Sequence, residues 1–447
     1  MVLISCYELG HRPLGITGPA RAFAAAGIEI DALDLAIEPL DPDRVRAARF
    51  VGISVPMHTA LRLGLRVFRQ IKAVNAQAHI SFYGLYADMN RAYLLAQGAD
   101  SCVAGDEHAA LVALATQSLG AISLAPPASS APSNRYSLPP LSRYARLVRD
   151  EREILAGAVA GTHGCKHHCR HCPIPPVFEG RFTAVPRADV LADIDAEIAA
   201  GAGHITFSDP DFLNGPRHAL ELVRALHARH PDVSYDFTAK VEHLLKHRAH
   251  LAEFARTGCV FIVSALESFS DHVLSILDKR HTARDALEAV AHVHAAGITL
   301  RPSFLPFTPW TTRADYLEMF ELVETHALVT SVDPIQYAIR LLLPPGSLLL
   351  ARPEMTPHLG ALDAENFSYE WRHPDSEMDA LQREALALVE RHMGERYAPE
   401  LAFAELRTLA ERRLRAGGGR PTTLTRPPRP LPSWLARPPR LTEAWFC

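Results

Sequence analysis

Three of the chain's seven cysteines fall within eight positions, in the stretch GTHGCKHHCRHCPIPP at 161–176. They are Cys165, Cys169 and Cys172, in the spacing C-x3-C-x2-C. The segment is polar and rich in His and Lys, so three inert core thiols are a poor account of it. Clustered cysteines of this kind bind metal or do chemistry. A structural zinc site normally pairs two C-x-x-C knuckles to reach four ligands, and no second knuckle lies nearby. His163, His167, His168 and His171 are available to complete a zinc site, so zinc is one reading. The other is an iron–sulfur cluster, which takes thiolates, normally four for a 4Fe-4S cluster. Three thiolates leave one iron open, and an open iron can bind a substrate or cofactor.

The elements that must hold this loop are legible in the rest of the chain. Its 447 residues are long enough for about three domains. With 48% hydrophobic and 21% charged residues it can bury a large core and reads as globular. A net charge of −4 argues against a whole-protein nucleic-acid surface. The opening MVLISCYELGHRP lacks the basic start and apolar core of a signal peptide. No apolar run reaches the ~18 residues that a membrane span needs. A cytoplasmic location is therefore expected, where thiols stay reduced.

Residues 1–118 alternate short β-branched runs with helical stretches: VLIS, IEIDALDL, FVGISVP, HISFYG and SCVAG are the strands. That alternation predicts a doubly wound parallel sheet, with ligands beyond the strands' carboxyl ends. Residues 119–150 read as a linker, rich in Pro, Ser and Ala at its start. Residues 151–345 resume the α/β pattern with candidate strands GAVAGT, HITFSD, VSYDFTA, CVFIVSAL, ITLRPSFL and PIQYAIR. This predicts a partial (β/α) barrel with its site at the strands' C-terminal ends. Residues 346–416 form a C-terminal region that is helical in pattern from 376, and the Pro/Arg-rich tail 417–447 should be extended or disordered. From Leu406 onward nine Arg face two Glu, which reads as a solvated basic tail.

C-x3-C-x2-C after the first barrel strand is similar to the signature of the radical SAM superfamily. The resemblance implies a 4Fe-4S cluster on Cys165, Cys169 and Cys172. It implies S-adenosylmethionine chelated at the open iron and cleaved reductively to a 5′-deoxyadenosyl radical. His171 then takes the position of the aromatic residue near the adenine. Ser208, Asp209 and Pro210 in HITFSDPDF resemble the family's Gly-Gly-Glu-Pro stretch, with Asp209 as the acceptor for the cofactor's ammonium. From the residues alone, Asp209 reads equally as a cap for a turn at Phe212–Asn214. SALESFSDHVLSILDKRHT resembles a further cofactor-binding segment. There Glu267 is the polar contact and Lys279 the cation that pairs with the cofactor's carboxylate. Arg301, on the next strand, would point into the site or pair with a buried acid.

A doubly wound domain ahead of such a barrel resembles the cobalamin-dependent radical SAM methylases. The resemblance implies cobalamin as a third cofactor and methyl transfer to an unreactive carbon. His11 in ELGHRPLG stands near the position of an axial histidine, and Ser54 and Gly84 stand in the adjoining loops. GDEH at 105–108 resembles the usual Gly-Glu-x-Glu. A methylthiotransferase would need three more cysteines in this domain, and it holds only Cys6 and Cys102. The ending LTEAWFC resembles the CUAEP/CCAEP-tail radical SAM proteins. Cys447 would then be half of a redox pair, with the coding sequence continuing past it through a selenocysteine codon. The partners implied are an unidentified small-molecule or peptide substrate and an electron donor such as flavodoxin or ferredoxin. Two other readings stay open: a radical SAM isomerase, dehydrogenase or maturase without cobalamin, and a zinc- or cluster-binding module without turnover. Specificity is expected near Tyr235, Arg301, Phe307, Trp310 and Tyr337 and in the C-terminal helices.

Overall fold

The computed structural model describes residues 1–105, 108–119, 138–393, 399–414 and 437–443. The N-terminal sheet holds β1 (Val2–Ser5), β2 (Asp31–Asp34), β3 (Phe50–Ser54), β4 (His79–Gly84) and β5 (Ser101–Ala104). Their spatial order is β2-β1-β3-β4-β5, and every pairing is parallel. Side chains alternate across a strand, so Val2, Ile4, Val51 and Ile53 bury on one face and Leu3 and Phe50 on the other. The helix His58–Val74 covers the first face with Leu61, Leu65, Phe68 and Ile71, spaced by one helical turn. Fully burying each such side chain is worth ~1.5–3 kcal/mol.

The second sheet begins with β6 (Arg146–Arg149) and β7 (Arg152–Val159), which pair antiparallel. The end of the expected linker is thus an ordered strand. After β7 a short hairpin, β8 (Thr162–Gly164) with β9 (Phe182–Ala184), brackets the cysteine loop. Then come β10 (His204–Phe207), β11 (Ser234–Thr238), β12 (Cys259–Glu267) and β13 (Thr299–Phe304), all parallel. The order β13-β12-β11-β10-β7-β6 describes a half-barrel. Thr282 and Asp285, and again Thr312 and Asp315, form reciprocal capping boxes that start the helices at 283 and 313.

The expected sixth barrel strand, PIQYAIR, is a 3-10 turn at Pro334–Tyr337. Gln336 explains the difference. Its Oε1 accepts from Phe304 N at 2.9 Å, replacing the backbone partner that a sixth strand would have offered β13. Beyond it lie the hairpin β14 (Leu359–Asp363) with β15 (Ser368–Trp371) and the helices Ser376–Met393 and Pro399–Leu414. Phe403 of the last helix packs on Phe320 and Tyr337. Arg440–Leu441 of the tail adds β16 antiparallel to β6. The sheet domains are clasped by Arg12 and Glu197, 3.5 Å apart and almost wholly buried. Arg21 adds a contact to Asp193. No helix among the described residues is long and apolar enough to cross a membrane.

Candidate functional site

The C-terminal ends of both sheets open onto one cavity of about 640 Å³. The barrel contributes Cys165, Cys169, Cys172, Asp209, Glu267 and Lys279 to its wall. Leu9, His11, Pro56, Met57, Leu85 and Tyr86 line it from the N-terminal sheet's loops.

The cysteine loop is pinned from beneath. Arg170 N donates to Leu277 O at 2.9 Å, and its guanidinium donates to Ile276 O at 2.8 Å. Cys172 N closes a turn onto Cys169 O at 3.2 Å. All three thiols are free of disulfides. Burial pushes the Cys172 thiol up to about 12 and raises Cys165. A bound cation would reverse this, because coordination deprotonates a thiol.

Asp209 anchors the base of the loop. Its Oδ2 accepts from Gly161 N at 2.9 Å and its Oδ1 from Thr162 Oγ1 at 2.6 Å. Burial pushes its carboxyl up to about 6, against those hydrogen bonds. The cap on the Phe212–Asn214 turn is made by Asp211, not Asp209. Glu267 ends β12 at a register shift, in the left-handed region at φ 63°. Such strain in a non-glycine residue persists only where surrounding contacts hold it. Here Lys279 Nζ donates to its Oε1 at 3.1 Å, and His171 Nε2 lies 3.0 Å from the same atom. Lys279 itself sits between two left-handed residues, Asp278 and Arg280, at φ 53° and 57°.

Residues 159–323 match the Radical SAM superfamily. Residues 159–323 form a radical SAM domain. Such a domain implies a 4Fe-4S cluster and S-adenosylmethionine. Among curated relatives, a tRNA-2-methylthio-N(6)-dimethylallyladenosine synthase from Alkalilimnicola ehrlichii is 22% identical over 201 residues, 42% of this chain and 44% of that protein. The ribosomal protein uS12 methylthiotransferase RimO from Desulfotalea psychrophila is 26% identical over 177 residues, 37% of this chain and 40% of that one. The chain spans less than half the length of these relatives. Two solved structures share the fold across nearly all of it. One is OxsB, a cobalamin-dependent S-adenosylmethionine radical enzyme, with TM-score 0.66 and 12% identity, covering 92% of this chain and 71% of that one. The other is TsrM from Kitasatospora setae, a radical S-adenosylmethionine methyltransferase with cobalamin and a [4Fe-4S] cluster bound. It has TM-score 0.65 and 14% identity, covering 93% of this chain and 98% of that one.

Within the radical SAM domain the structure brings Cys165, Cys169, Cys172, His171, Ser208, Asp209, Glu267, Lys279 and Arg301 to the one cavity. Arg301 lines the cavity and pairs with Asp333 at 2.7 Å. Of the residues expected to contact cobalamin, His11 lines the cavity; Ser54 and Gly84 lie behind its lining. A Cβ on Gly15 would fall 2.1 Å from Ser54 Oγ, so the Gly15 backbone covers that hydroxyl. Gly84 turns the chain at φ 104°, against the Val55 backbone. Tyr235, Phe307, Trp310 and Tyr337 do not line the cavity: Tyr235 bonds Thr257 within the core, and Trp310 donates to Glu354 O. Residues 106–107 of GDEH and the terminal Cys447 lie outside the described residues. The reading missed Asp211, Lys240 and His243, although KVEHLLK follows the third barrel strand, where loop residues meet the site.

Proposed function

We propose that this chain is a cobalamin-dependent radical SAM enzyme that methylates an unactivated carbon. The observation that carries the reading is the shared cavity, walled by the three cysteines on one side and the N-terminal sheet's loops on the other. The donor set fits a cluster: three thiols free of disulfides on one pinned loop, with no fourth cysteine beside them among the described residues. The cavity also fits a corrin. Leu9, Pro56, Met57 and Leu85 give it an apolar floor. His11 stands in the wall with Nδ1 buried and unpartnered, and burial lowers its pKa, so the ring is a neutral nitrogen donor.

When bound, these groups supply a 5′-deoxyadenosyl radical and a transferable methyl group. The chain's own residues do the rest. Glu267 and Lys279 present one acceptor and one cation to the amino-acid end of S-adenosylmethionine. Asp209 offers further acceptor lone pairs while holding the loop base. His171, held by Glu267 at 3.0 Å, would stack on the adenine. Leu441 and Glu443 of the tail strand wall the cavity together with the loops of both sheets. A small molecule or peptide is the substrate, and a low-potential donor such as flavodoxin or ferredoxin provides the reducing electron.

The likeness to methylthiotransferases does not extend the proposal to sulfur insertion. The N-terminal domain holds only Cys6 and Cys102, one thiolate short of the three that a second cluster of this kind would need. The test is metal content. The protein is produced without oxygen, offered hydroxocobalamin and desalted. About four iron and one cobalt per chain are expected, with transfer of a deuterated methyl group from labelled S-adenosylmethionine once a substrate is supplied. Iron without cobalt would remove the cobalamin step. Zinc that depends on the cysteines, with no iron, would overturn the radical chemistry.

A further inference from the structure

The cysteine loop carries a second set of ligand-type side chains that the radical chemistry does not use. His167 stands between Cys165 and Cys169 and converges on Asp211 and His243. His167 Nε2 lies 3.4 Å from Asp211 Oδ2, and His243 Nδ1 lies 2.7 Å from the same oxygen. The three ligand atoms all lie within 4.8 Å of one another. The residues are 7%, 2% and 3% exposed. Each of these three atoms is buried without a hydrogen bond of acceptable geometry.

The Asp211 carboxylate divides its work. Oδ1 accepts from Leu213 N at 3.0 Å and caps the turn. Oδ2 is left for the histidines. The three side chains come from separate connections that follow β7, β10 and β11, His243 from the short helix Val241–Lys246. An unsatisfied buried polar group costs ~1–3 kcal/mol, and three at one point need a common partner. A cation supplies it. Two imidazoles and one carboxylate are the ligand set of open zinc sites and of non-haem ferrous sites. Ligand bonds of ~2.0–2.2 Å fit atoms spaced this closely. The other ring nitrogen, His167 Nδ1, lies 3.4 Å from Lys240 Nζ, which in turn lies 3.4 Å from Glu242 Oε2.

We propose that His167, Asp211 and His243 bind one divalent first-row transition-metal ion, zinc or ferrous iron, separate from the iron–sulfur cluster. The ion ties the loop between Cys165 and Cys169 to the next two strands and fixes their spacing. His167 and Asp211 also line the cavity, so the ion borders the substrate space. The proposal goes beyond the function argued above and does not depend on it.

The experiment compares four full-length proteins, each reconstituted anaerobically with iron and sulfide and offered zinc. Unaltered protein should hold about one ion per chain beyond the about four cluster irons. Asp211→Asn and His243→Gln should keep the cluster's absorbance and lose the extra ion, with affinity down about a hundredfold. A variant with Cys165, Cys169 and Cys172 all changed to Ala should lose the cluster and keep the extra ion. Cobalt(II) titrated into that variant should give visible ligand-field bands without a thiolate charge-transfer band. The triple variant leaves the three ligands untouched, so its spectrum decides the matter even if Asp211 and His243 variants misfold. Zinc or ferrous iron retained there says which ion the site takes. Cobalt binding weaker than about 1 mM in the triple variant would overturn the proposal, as would an extra ion lost with the cysteines and unaffected by His243→Gln. Loss of the cluster in unaltered protein would count against the radical chemistry alone.

Discussion

Lys279 and Glu267 form a 3.1 Å ion pair beneath the cysteine loop, with almost no solvent at either group. Burial favours the neutral acid. The lysine and His171 override it and hold the Glu267 carboxyl well below the usual range. Burial also opposes the charge on Lys279, and Glu267 raises its pKa all the same. The two charges stand because each supplies the other's partner.

Lys279→Met should therefore destabilise the fold more than a surface lysine change. Breaking a buried pair costs ~3–5 kcal/mol, and the remaining His171 contact offsets part of it. A loss of about 2–3 kcal/mol is expected in urea unfolding. The double variant Lys279→Met/Glu267→Gln should recover more than half of that loss. Equal losses in both would show that packing, rather than the stranded charge, sets the cost.

Asp209 and Thr162 should fail together. Their 2.6 Å bond joins the ends of two strands below the cysteines, and a hydrogen bond to a charged group is worth ~1.5–3 kcal/mol. Thr162→Val and Asp209→Asn should both lower iron retained after desalting. Only Asp209→Asn should also weaken S-adenosylmethionine binding, because only it changes an acceptor in the cavity. Calorimetry of the reconstituted variants checks this, and equal binding loss in both would reduce Asp209 to a positioning residue.

The N-terminal sheet should grow less stable as pH rises. Burial pushes the Glu8 carboxyl up to about 8, against hydrogen bonds from Gly15 N at 3.0 and 3.2 Å. An unfolded Glu titrates near ~4.3. The folded chain thus binds more protons between those values, so stability is highest below ~4 and is lost through about pH 8. Glu8→Gln keeps an acceptor for Gly15 and removes the charge. It should raise Tm by about 2–4 °C at pH 9 and change little at pH 5. Asp34, also raised mainly by burial, should leave a residual slope.

The barrel and its cysteine loop were legible because their signals are local. β-branched runs, helical spacing and a short cysteine interval each show within a dozen residues. Thr282-x-x-Asp285 marks its helix start in the same way. The pairs that hold the site together are long-range. Arg12 meets Glu197, and Asp211 meets His243, across separations that no window of sequence spans. PIQYAIR carries a strand's composition, yet one side chain, Gln336, took the bond that would have made it one. The aromatic residues near the strand ends were misjudged for a simpler reason. Composition cannot tell which face of a strand a tyrosine takes, and Tyr235 turned to the core.

The tail was expected to be extended or disordered, and its last described stretch is a strand. Leu441 stands opposite Leu147 across β16 and β6, and Thr442 N donates to Arg146 O at 2.8 Å. Pro439 O accepts from Arg301, a cavity residue, at 3.2 Å. Glu443 accepts from Tyr7 of the N-terminal sheet at 2.9 Å and packs on Gly10, where φ of 71° and a Cβ only 2.8 Å from Glu443 both require glycine. Leu441 and Glu443 line the cavity. The strand therefore closes the site from the side and bridges the two sheets. Ending the chain after residue 436 removes that wall, and Cys447 with it, without touching the three cysteines of the loop. Iron content on reconstitution should be unchanged, and bleaching of the cluster by a chelator should speed up about tenfold, a barrier change of ~1.4 kcal/mol. Tyr7→Phe, which removes one hydrogen bond worth ~1 kcal/mol, should give a smaller change in the same direction. A bleaching rate unaffected by the truncation would mean that solvent already reaches the cysteines past the strand.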